Sequence, residues 1–134
     1  MDKNNGEFSY DGQRSCLFEH DNVEEAEKAM DFETIKEYGD KFLNEDGSVK
    51  HYLHTWDDGE RELLRCKKCG AFFIRQDSEY HSFDDSYYTD WFQVESPAMA
   101  EKLNEVYNGW QLEQEYHAPS ILRTNERYHW NKKE

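Results

Sequence analysis

Apolar residues recur at three- and four-residue steps through residues 22–38, "NVEEAEKAMDFETIKEY". This spacing places Val23 and the apolar residues that follow it on one face of a helix. Asp21 or Asn22 can cap the start of that helix by accepting hydrogen bonds from exposed backbone N–H groups. The apolar positions after Asp31 are out of phase with those before it. We therefore expect a kink there, or two short helices of which Asp31 caps the second.

Residues 49–66 show the pattern of a β-hairpin. The runs "VKHYLHTW" and "RELLRC" resemble strands, and the Asp58-Gly59 pair between them is a strong signal for a two-residue turn. In this register His51 lies directly opposite Cys66, on the same face of the hairpin. His54 has the opposite parity in its strand and is expected to face away from Cys66.

Two further strands are predicted after this hairpin. The run "AFFIRQ" at 71–76 is typical of a buried strand. The run "YYTDWFQV" at 87–94 is rich in the aromatic and β-branched residues that fit a pleated surface.

The clearest helix signal begins at Ser96 and Pro97, because serine caps a helix and proline is tolerated in its first turn. Apolar residues then recur at helical spacing as far as Trp110, and Asn108-Gly109 can end the helix in a left-handed conformation. The run "WQLEQEYH" at 110–117 alternates and predicts a half-exposed strand. The final run "ILRTNERYHW" can add an edge strand.

Together these elements predict an α+β fold, a single domain over residues 1–134. Its centre is expected to be an antiparallel β-sheet with a zinc-knuckle-like hairpin and two or three helices. The polar ends, residues 1–15 and 126–134, show little periodicity and are expected to be poorly ordered.

Composition changes this picture in one respect. Leu, Ile, Val and Phe make up less than a fifth of the chain, and the net charge is -14, a combination typical of disordered proteins. However, 9 Tyr and 4 Trp supply large apolar areas that disordered chains lack. We therefore expect a folded domain with an aromatic core.

The sequence favours a cytoplasmic protein with no membrane segment. No apolar run approaches the roughly 20 residues of a membrane span, and the acidic N-terminus lacks the basic and apolar regions of a secretory signal. The 3 cysteines are an odd number and include a C-x-x-C pair, which fits reducing surroundings better than a disulfide framework.

The segment Cys66-Lys67-Lys68-Cys69-Gly70 resembles the knuckle of zinc ribbons and rubredoxin-like folds. In such knuckles a strand delivers two thiolates to one metal at a tight turn, and glycine after the second cysteine accepts positive φ. Five cationic residues, two of them inside the knuckle, can offset the charge of a thiolate site; they are Arg61, Arg65, Lys67, Lys68 and Arg75.

We expect a zinc site formed by Cys66, Cys69, His51 and Cys16. His51 is chosen for its register opposite Cys66, and Cys16 for completing a tetrahedral set. The alternates for the fourth position are His20, which lies one helical turn after Cys16, and His81.

Two other interpretations of the cysteines remain open. In the first they are inert core residues. In the second they are a redox pair, which is disfavoured because a thioredoxin-type C-x-x-C opens a helix, whereas "GAFFIRQ" continues here as strand.

Catalytic signatures are absent from the sequence, so we expect no enzyme. There is no H-E-x-x-H, no G-x-S-x-G and no glycine-rich phosphate loop with lysine. A zinc deaminase would need an H-x-E motif upstream of its C-x-x-C, and no histidine before Cys66 has one.

The acidic balance disfavours direct binding to nucleic acid, which depends on basic surfaces. It predicts instead a basic protein partner. The stretch at 78–95, "SEYHSFDDSYYTDWFQVE", combines carboxylates that steer association with aromatic residues suited to binding hot spots. Its candidate partner-binding residues are Asp84, Asp85, Tyr87, Asp90, Trp91 and Glu95. The other interpretation of this stretch is a core strand preceded by a solvated loop.

Two functions are therefore expected. The chain resembles, in general character, small acidic bacterial immunity proteins, which implies an inhibitor that binds a basic toxin or nucleic-acid enzyme. The alternative is a zinc-knuckle accessory module of a larger assembly, which would bind through the basic patch around Lys67 and Lys68. The sequence leaves the oligomeric state and the partner's identity open.

Overall fold

The computed structural model describes residues 8–10, 12–39, 41–52, 58–80, 86–124 and 127–131. Within these residues the strands are β1 (Phe32–Gly39), β2 (Lys41–Leu43), β3 (Val49–Tyr52), β4 (Asp58–Cys66), β5 (Phe72–Tyr80), β6 (Ser86–Val94), β7 (Ser120–Thr124) and β8 (Arg127–Asn131). The helices are a 3₁₀ helix (Cys16–Glu19), α1 (Val23–Lys28), α2 (Pro97–Val106) and α3 (Gly109–Glu115).

A six-stranded antiparallel sheet forms the centre of the fold, in the order β1-β4-β5-β6-β7-β8. β2 and β3 form a separate two-stranded sheet. The turn between them is stabilised by Asp46, whose carboxylate accepts from the Ser48 backbone N–H, and by Gly47 at φ 91°. The predicted α+β class is confirmed.

Both faces of the large sheet are buried. Adjacent residues on a strand point to opposite faces, and the neighbours Leu63 and Leu64 of β4 are both buried, as are Phe73 and Ile74 of β5. Leu63 and Ile74 pack in a cluster with residues of α2 and α3, such as Leu103. Leu64 and Phe73 pack instead with the 3₁₀ helix and α1. The sheet is therefore a central layer between two helical covers.

A buried polar network lies beneath α2. The Arg61 guanidinium, 1% exposed, donates to Gln76 Oε1 at 2.8 and 3.2 Å, to Asn104 Oδ1 at 3.0 Å and to the Tyr107 carbonyl at 2.9 Å. These acceptors lie on β5 and at the C-terminal end of α2. Arg61 therefore joins the sheet to that helix, at the cost of desolvating a cation.

Two predicted helix starts are confirmed. The Asn22 side chain accepts from the Glu25 N–H at the start of α1, and the Ser96 hydroxyl accepts from the Met99 N–H at the start of α2. In both cases a short polar side chain satisfies a backbone donor that has no partner within the helix.

The prediction that helix continues beyond Asp31 is wrong. Residues Phe32–Gly39 form β1, which pairs with β4 along the edge of the sheet with two register shifts. Backbone hydrogen bonds to β4, together with the packing of Phe32 against Phe73, outweigh the weak helix propensity of this segment.

The hairpin predicted between residues 49 and 66 is also wrong. β3, which contains His51, pairs with β2. Asp58 and Gly59 lie within β4 and pair with β5, and Phe32 of β1 stands opposite Cys66. The Asp-Gly signal describes a local preference only, and the long ladder between β4 and β5 overrides it.

The half-exposed strand predicted at 110–117 is a helix. Asn108 does not end α2 in a left-handed conformation; it caps α3 through a capping box in which Asn108 and Gln111 each bond the other's backbone N–H. Leu112 and Tyr116, four positions apart, are both buried. By contrast, the strands predicted at 71–76 and 87–94 are confirmed as β5 and β6. The C-terminal run, predicted to add one edge strand, contributes to two strands, β7 within the sheet and β8 at its edge.

Part of the N-terminal segment for which we expected little order is held against the sheet region. Ser9 forms a parallel bridge with His117, and the Tyr10 N–H donates to the His117 carbonyl at 2.8 Å. Residues 1–7, 11, 126 and 132–134 lie outside the described residues, so the expectation stays a prediction there.

The helices in the described part of the chain are each too short or too polar to cross a lipid bilayer.

The buried carboxyl of Asp90 gives a prediction about pH and stability. Burial and the nearby Glu113 carboxylate raise the pKa of Asp90 to about 7, although Gln76 donates a hydrogen bond that opposes the shift. The folded state therefore holds a proton that the unfolded state releases near pH 4. Stability contributed at this site is present below pH 4 and is lost as pH rises toward 7.

We expect Asp90→Asn, which keeps an oxygen acceptor for Gln76, to remove this dependence. The free energy of unfolding of the variant minus that of the wild type should rise between pH 4 and 8 by up to about 4 kcal/mol. Urea denaturation at several pH values measures it. A difference that stays constant across this range would contradict the prediction.

Candidate metal centre

The turn between β4 and β5 carries two of the three cysteines. The Cys66 N–H donates to the Ala71 carbonyl, and the Gly70 N–H donates to the Cys66 carbonyl, both at 2.8 Å. Gly70 has φ 80°, a left-handed conformation that glycine adopts at little cost. These bonds close a tight turn, as the C-x-x-C-G pattern predicted.

The third cysteine, Cys16, comes from the N-terminal part of the chain, 50 residues before Cys66. Cys16 begins the 3₁₀ helix, whose N-cap is Ser15. The Ser15 N–H donates to the side-chain oxygen of Gln93 on β6 at 3.0 Å, and the Gln93 amide donates to the Gln13 carbonyl at 3.0 Å. The buried side chain of Gln93 thus replaces the missing backbone partners of this segment and fixes where Cys16 lies.

The ligand atoms of Cys16, Cys66 and Cys69 all lie within 4.8 Å of one another. Cys66 is fully buried, Cys16 is partly buried and Cys69 is exposed. Three sulfurs at this separation can hold a metal ion, because thiolates about 2.3 Å from a shared zinc lie within such a distance of one another. The candidate centre is therefore open to solvent on the side of Cys69.

Hydrogen bonds distinguish the thiols from one another. Burial would raise the pKa of Cys69, but the Ser15 hydroxyl, 3.2 Å from its sulfur, and backbone N–H groups of Cys16 and Ala71 lower that pKa to about 7. Burial raises the pKa of Cys16 to about 11, and its hydrogen bonds to Cys69 and Cys66 add to this. Cys69 is therefore the ready thiolate, and Cys16 carries a proton that a metal would displace.

The cations expected around the knuckle are mostly engaged elsewhere. Arg61 lies in the network beneath α2, on the face opposite Cys66. Arg65 pairs with Glu33 at 2.6 Å, and Arg75 pairs with carboxylates of its own and the neighbouring strand. Lys68 donates to the Ala29 carbonyl. The charges of Arg61, Arg65 and Arg75 are therefore buried or paired, whereas Lys67 and Lys68 stay exposed as cations, because the carbonyl that Lys68 contacts is neutral.

The predicted ligands divide into three groups. Cys16, Cys66 and Cys69 are brought together. His51 was chosen from a hairpin register that is wrong, and its side chain lies outside the described ones, so its role as a ligand stays untested. His20 follows the 3₁₀ helix but is not part of the sulfur cluster in the described residues, and His81 lies outside them.

The candidate partner-binding residues of the 78–95 stretch also divide. Asp90 and Trp91 are 8% and 6% exposed, so their side chains belong to the interior of the sheet and not to a binding surface. They face opposite sides of β6, and both sides are covered. Glu95 is exposed. Asp84 and Asp85, together with the Tyr87 side chain, lie outside the described ones.

Sequence reasoning missed Ser15 and Gln93, which position Cys16. Ser15 carried a usable signal, because a serine directly before a cysteine can cap a short helix and donate to a sulfur. The sequence carries no comparable signal at Gln93, because a glutamine in an aromatic strand does not indicate which groups its side chain will contact.

No protein-family model matches the chain, and neither a curated protein nor a solved structure matches it.

The left-handed residue of the turn can be tested directly. A Cβ at Gly70 would meet nothing closer than an Arg65 nitrogen at 3.9 Å, so the cost of a side chain there is conformational and not steric. We expect Gly70→Ala to lower the free energy of unfolding by roughly 1–2 kcal/mol. Gly70→Asn should cost less, because asparagine tolerates positive φ.

Urea denaturation of the metal-free, reduced variants measures the two costs. Equal stability of Gly70→Ala and the wild type would contradict the assigned conformation of the turn.

Proposed function

We propose that this chain is a zinc-binding domain in which Cys16, Cys66 and Cys69 supply thiolate ligands to a structural ion. The observation that carries the proposal is the sulfur cluster, assembled from two distant parts of the chain with every ligand atom within 4.8 Å of the others. Chance proximity of all cysteines in a chain that has only 3 is a poor explanation.

The surroundings of the cluster support a metal role. Cys69 accepts from a hydroxyl and from backbone N–H groups, an arrangement that stabilises thiolates in metal knuckles. Thiolate-rich tetrahedral sites bind zinc and also iron. That the ion is zinc is therefore itself part of the proposal. Thiolates must stay reduced to bind it, and a cytoplasmic location therefore belongs to the proposal as well.

The ion would act as a clamp. Cys16 lies on the 3₁₀ helix, while Cys66 and Cys69 lie at the end of the sheet, so one ion coordinated by all three crosslinks the N-terminal cover to the β4–β5 turn. The 3₁₀ helix spans 4 residues and α1 spans 6, too few for helices that are stable by themselves. A crosslink at this point stabilises the weakest part of the fold.

Metal analysis with chelation tests this proposal. Protein purified gently should contain about one zinc per chain, and removal of zinc should lower the melting temperature. A site held at a thousand times its Kd contributes about 4 kcal/mol, which corresponds to a shift of roughly 10–20 °C for a domain of this size.

The matched variants are Cys66→Ser, which removes a buried ligand, and Lys67→Ser, which changes the adjacent exposed residue and leaves every sulfur in place. We expect loss of zinc only in the first. A metal-free wild type whose melting temperature does not respond to added zinc would reject the clamp.

We further propose that the domain works by binding a basic protein, as an inhibitor or immunity-type protein does. The supporting observation is the state of the charges. Lys36, Arg65 and Arg75 are paired with carboxylates of the chain itself, and Arg61 is buried. The chain has 30 Asp and Glu against 16 Lys and Arg, so with these four cations engaged the charge available to a partner is mainly negative.

Charge reversal separates a specific acidic epitope from general attraction. Asp84→Lys with Asp85→Lys and Glu95→Lys reverses the charges of the 78–95 stretch. Glu19→Lys with Glu24→Lys and Glu25→Lys makes the same change in net charge near α1. We expect the first triple variant to lose at least tenfold in capture of the partner from an extract of the source cells, and the second to lose much less.

Two other outcomes have defined meanings. If both triple variants lose partner capture equally, net charge alone would account for the interaction. That outcome would reject a specific epitope in the 78–95 stretch. Loss on Lys67→Glu with Lys68→Glu, and on neither acidic variant, would favour an accessory module that binds through the knuckle. Circular dichroism of each variant confirms that the fold is retained.

A further inference from the structure

We propose that Cys69 is a site of oxidation by hydroperoxides and that Cys16 resolves the oxidised cysteine as a Cys16–Cys69 disulfide, which opens the metal centre. The disulfide follows from the positions of the three sulfurs alone. Only the accompanying metal release rests on the proposed zinc function, so the two parts can fail separately.

Access selects Cys69 as the sulfur that reacts first. Cys69 is exposed at the turn, whereas Cys66 is fully buried among Leu64, Phe73 and their neighbours. A peroxide molecule can therefore reach Cys69 from solvent without any movement of the chain. The Ser15 hydroxyl, 3.2 Å from the Cys69 sulfur, can stabilise the attacking thiolate.

Side-chain exposure selects Cys16 as the resolving residue. The sulfurs of Cys16 and Cys66 both lie within 4.8 Å of the Cys69 sulfur. Disulfide formation requires the two sulfurs to approach to about 2.05 Å, from within 4.8 Å. The Cys16 side chain is only partly buried, whereas that of Cys66 is fully buried among packed apolar residues. Rotation of the Cys16 side chain toward Cys69 therefore disturbs fewer packed neighbours than rotation of the Cys66 side chain, and the backbone at Cys16 can stay in place.

The reaction consists of two balanced steps. The Cys69 thiolate attacks one peroxide oxygen, the O–O bond breaks, and Cys69 becomes a sulfenic acid as hydroxide (or alkoxide) leaves. Cys16 then loses its proton and attacks the sulfenic sulfur, the S–S bond forms, and the sulfenic hydroxyl leaves with that proton as water. Two electrons pass from the two sulfurs to the peroxide. A thiol reductant reverses the change by exchange.

The oxidised centre can no longer act as a clamp. Two of the three thiolates are consumed, and the remaining thiolate of Cys66 does not hold a zinc ion by itself. The new bond still joins the 3₁₀ helix to the turn, so the expected result is loss of metal without loss of the fold. Oxidation therefore exchanges one crosslink for another of different geometry.

Titration of the protein as purified with one equivalent of hydrogen peroxide tests the proposal. A chromogenic chelator reports released zinc, and mass spectrometry of a digest under non-reducing conditions identifies the linked cysteines. We expect one disulfide, Cys16 with Cys69, a free Cys66, and release of the bound metal that dithiothreitol and added zinc reverse.

Variants make the assignment specific. Cys16→Ser should abolish the disulfide and leave a sulfenic acid at Cys69 that dimedone traps, while Cys69→Ser should abolish both products. Lys67→Ser is the matched control and should behave as the wild type.

A Cys66–Cys69 disulfide, or dimedone labelling of Cys66 before Cys69, would overturn the assignment. Because peptide mapping of the wild type carries the result, a variant that fails to fold does not remove the test. Protein that holds no metal but forms the Cys16–Cys69 disulfide rejects the zinc clamp and keeps the oxidation site. Protein that holds zinc but forms no disulfide rejects the oxidation site and keeps the zinc clamp.

Discussion

The central strands β4, β5 and β6 carry apolar side chains on both faces, so each face requires its own cover. Alternation along β4 places Leu63 toward α2 and α3 and Leu64 toward the N-terminal helices, and β5 repeats this with Ile74 and Phe73. A chain with few aliphatic residues has little apolar area to spare. It meets the requirement by drawing the first cover from the residues after β6 and the second from the residues before β1. The three-layer arrangement follows from this need to keep both faces out of water.

The candidate metal centre is a consequence of the same alternation. Cys66 has the parity of Leu64, so its side chain points to the face that the N-terminal segment covers. Cys16 is carried to that face by Leu17 and Phe18, which enter the core beside Phe73, and by the hydrogen bonds to Gln93. Apolar burial brings the segment to the sheet, but it has little directional content. The buried amide supplies the direction, because its hydrogen bonds to the Ser15 N–H and the Gln13 carbonyl require a defined distance and angle.

Local signals in the sequence predicted local structure well, and failed where partners distant in sequence decide the outcome. The cap at Ser96, the turn after Cys66 and the strands β5 and β6 each depend on a few adjacent residues, and each could be read directly. Phe32–Gly39 forms a strand because it pairs with the edge of β4. The sequence of the segment itself does not indicate that this partner is available. The Asn108-x-x-Gln111 spacing of the capping box is present in the sequence, but Asn108 was interpreted as the end of α2 and the alternation after it predicted a strand. At the site, the C-x-x-C-G pattern indicated two candidate ligands directly, whereas Cys16 was chosen to complete a tetrahedral set and His51 from a pairing that does not form.

The cover formed by the 3₁₀ helix and α1 depends on the rest of the fold for its placement. Its two helices are too short to form alone, so its placement depends on tertiary contacts: four buried apolar residues, the Gln93 hydrogen bonds and the sulfur cluster. Only the last of these can be switched, because a metal or a disulfide can be added or removed while a buried leucine cannot. Under the proposed function, the free energy of metal binding at Cys16 would therefore also stabilise the attachment of this cover to the sheet.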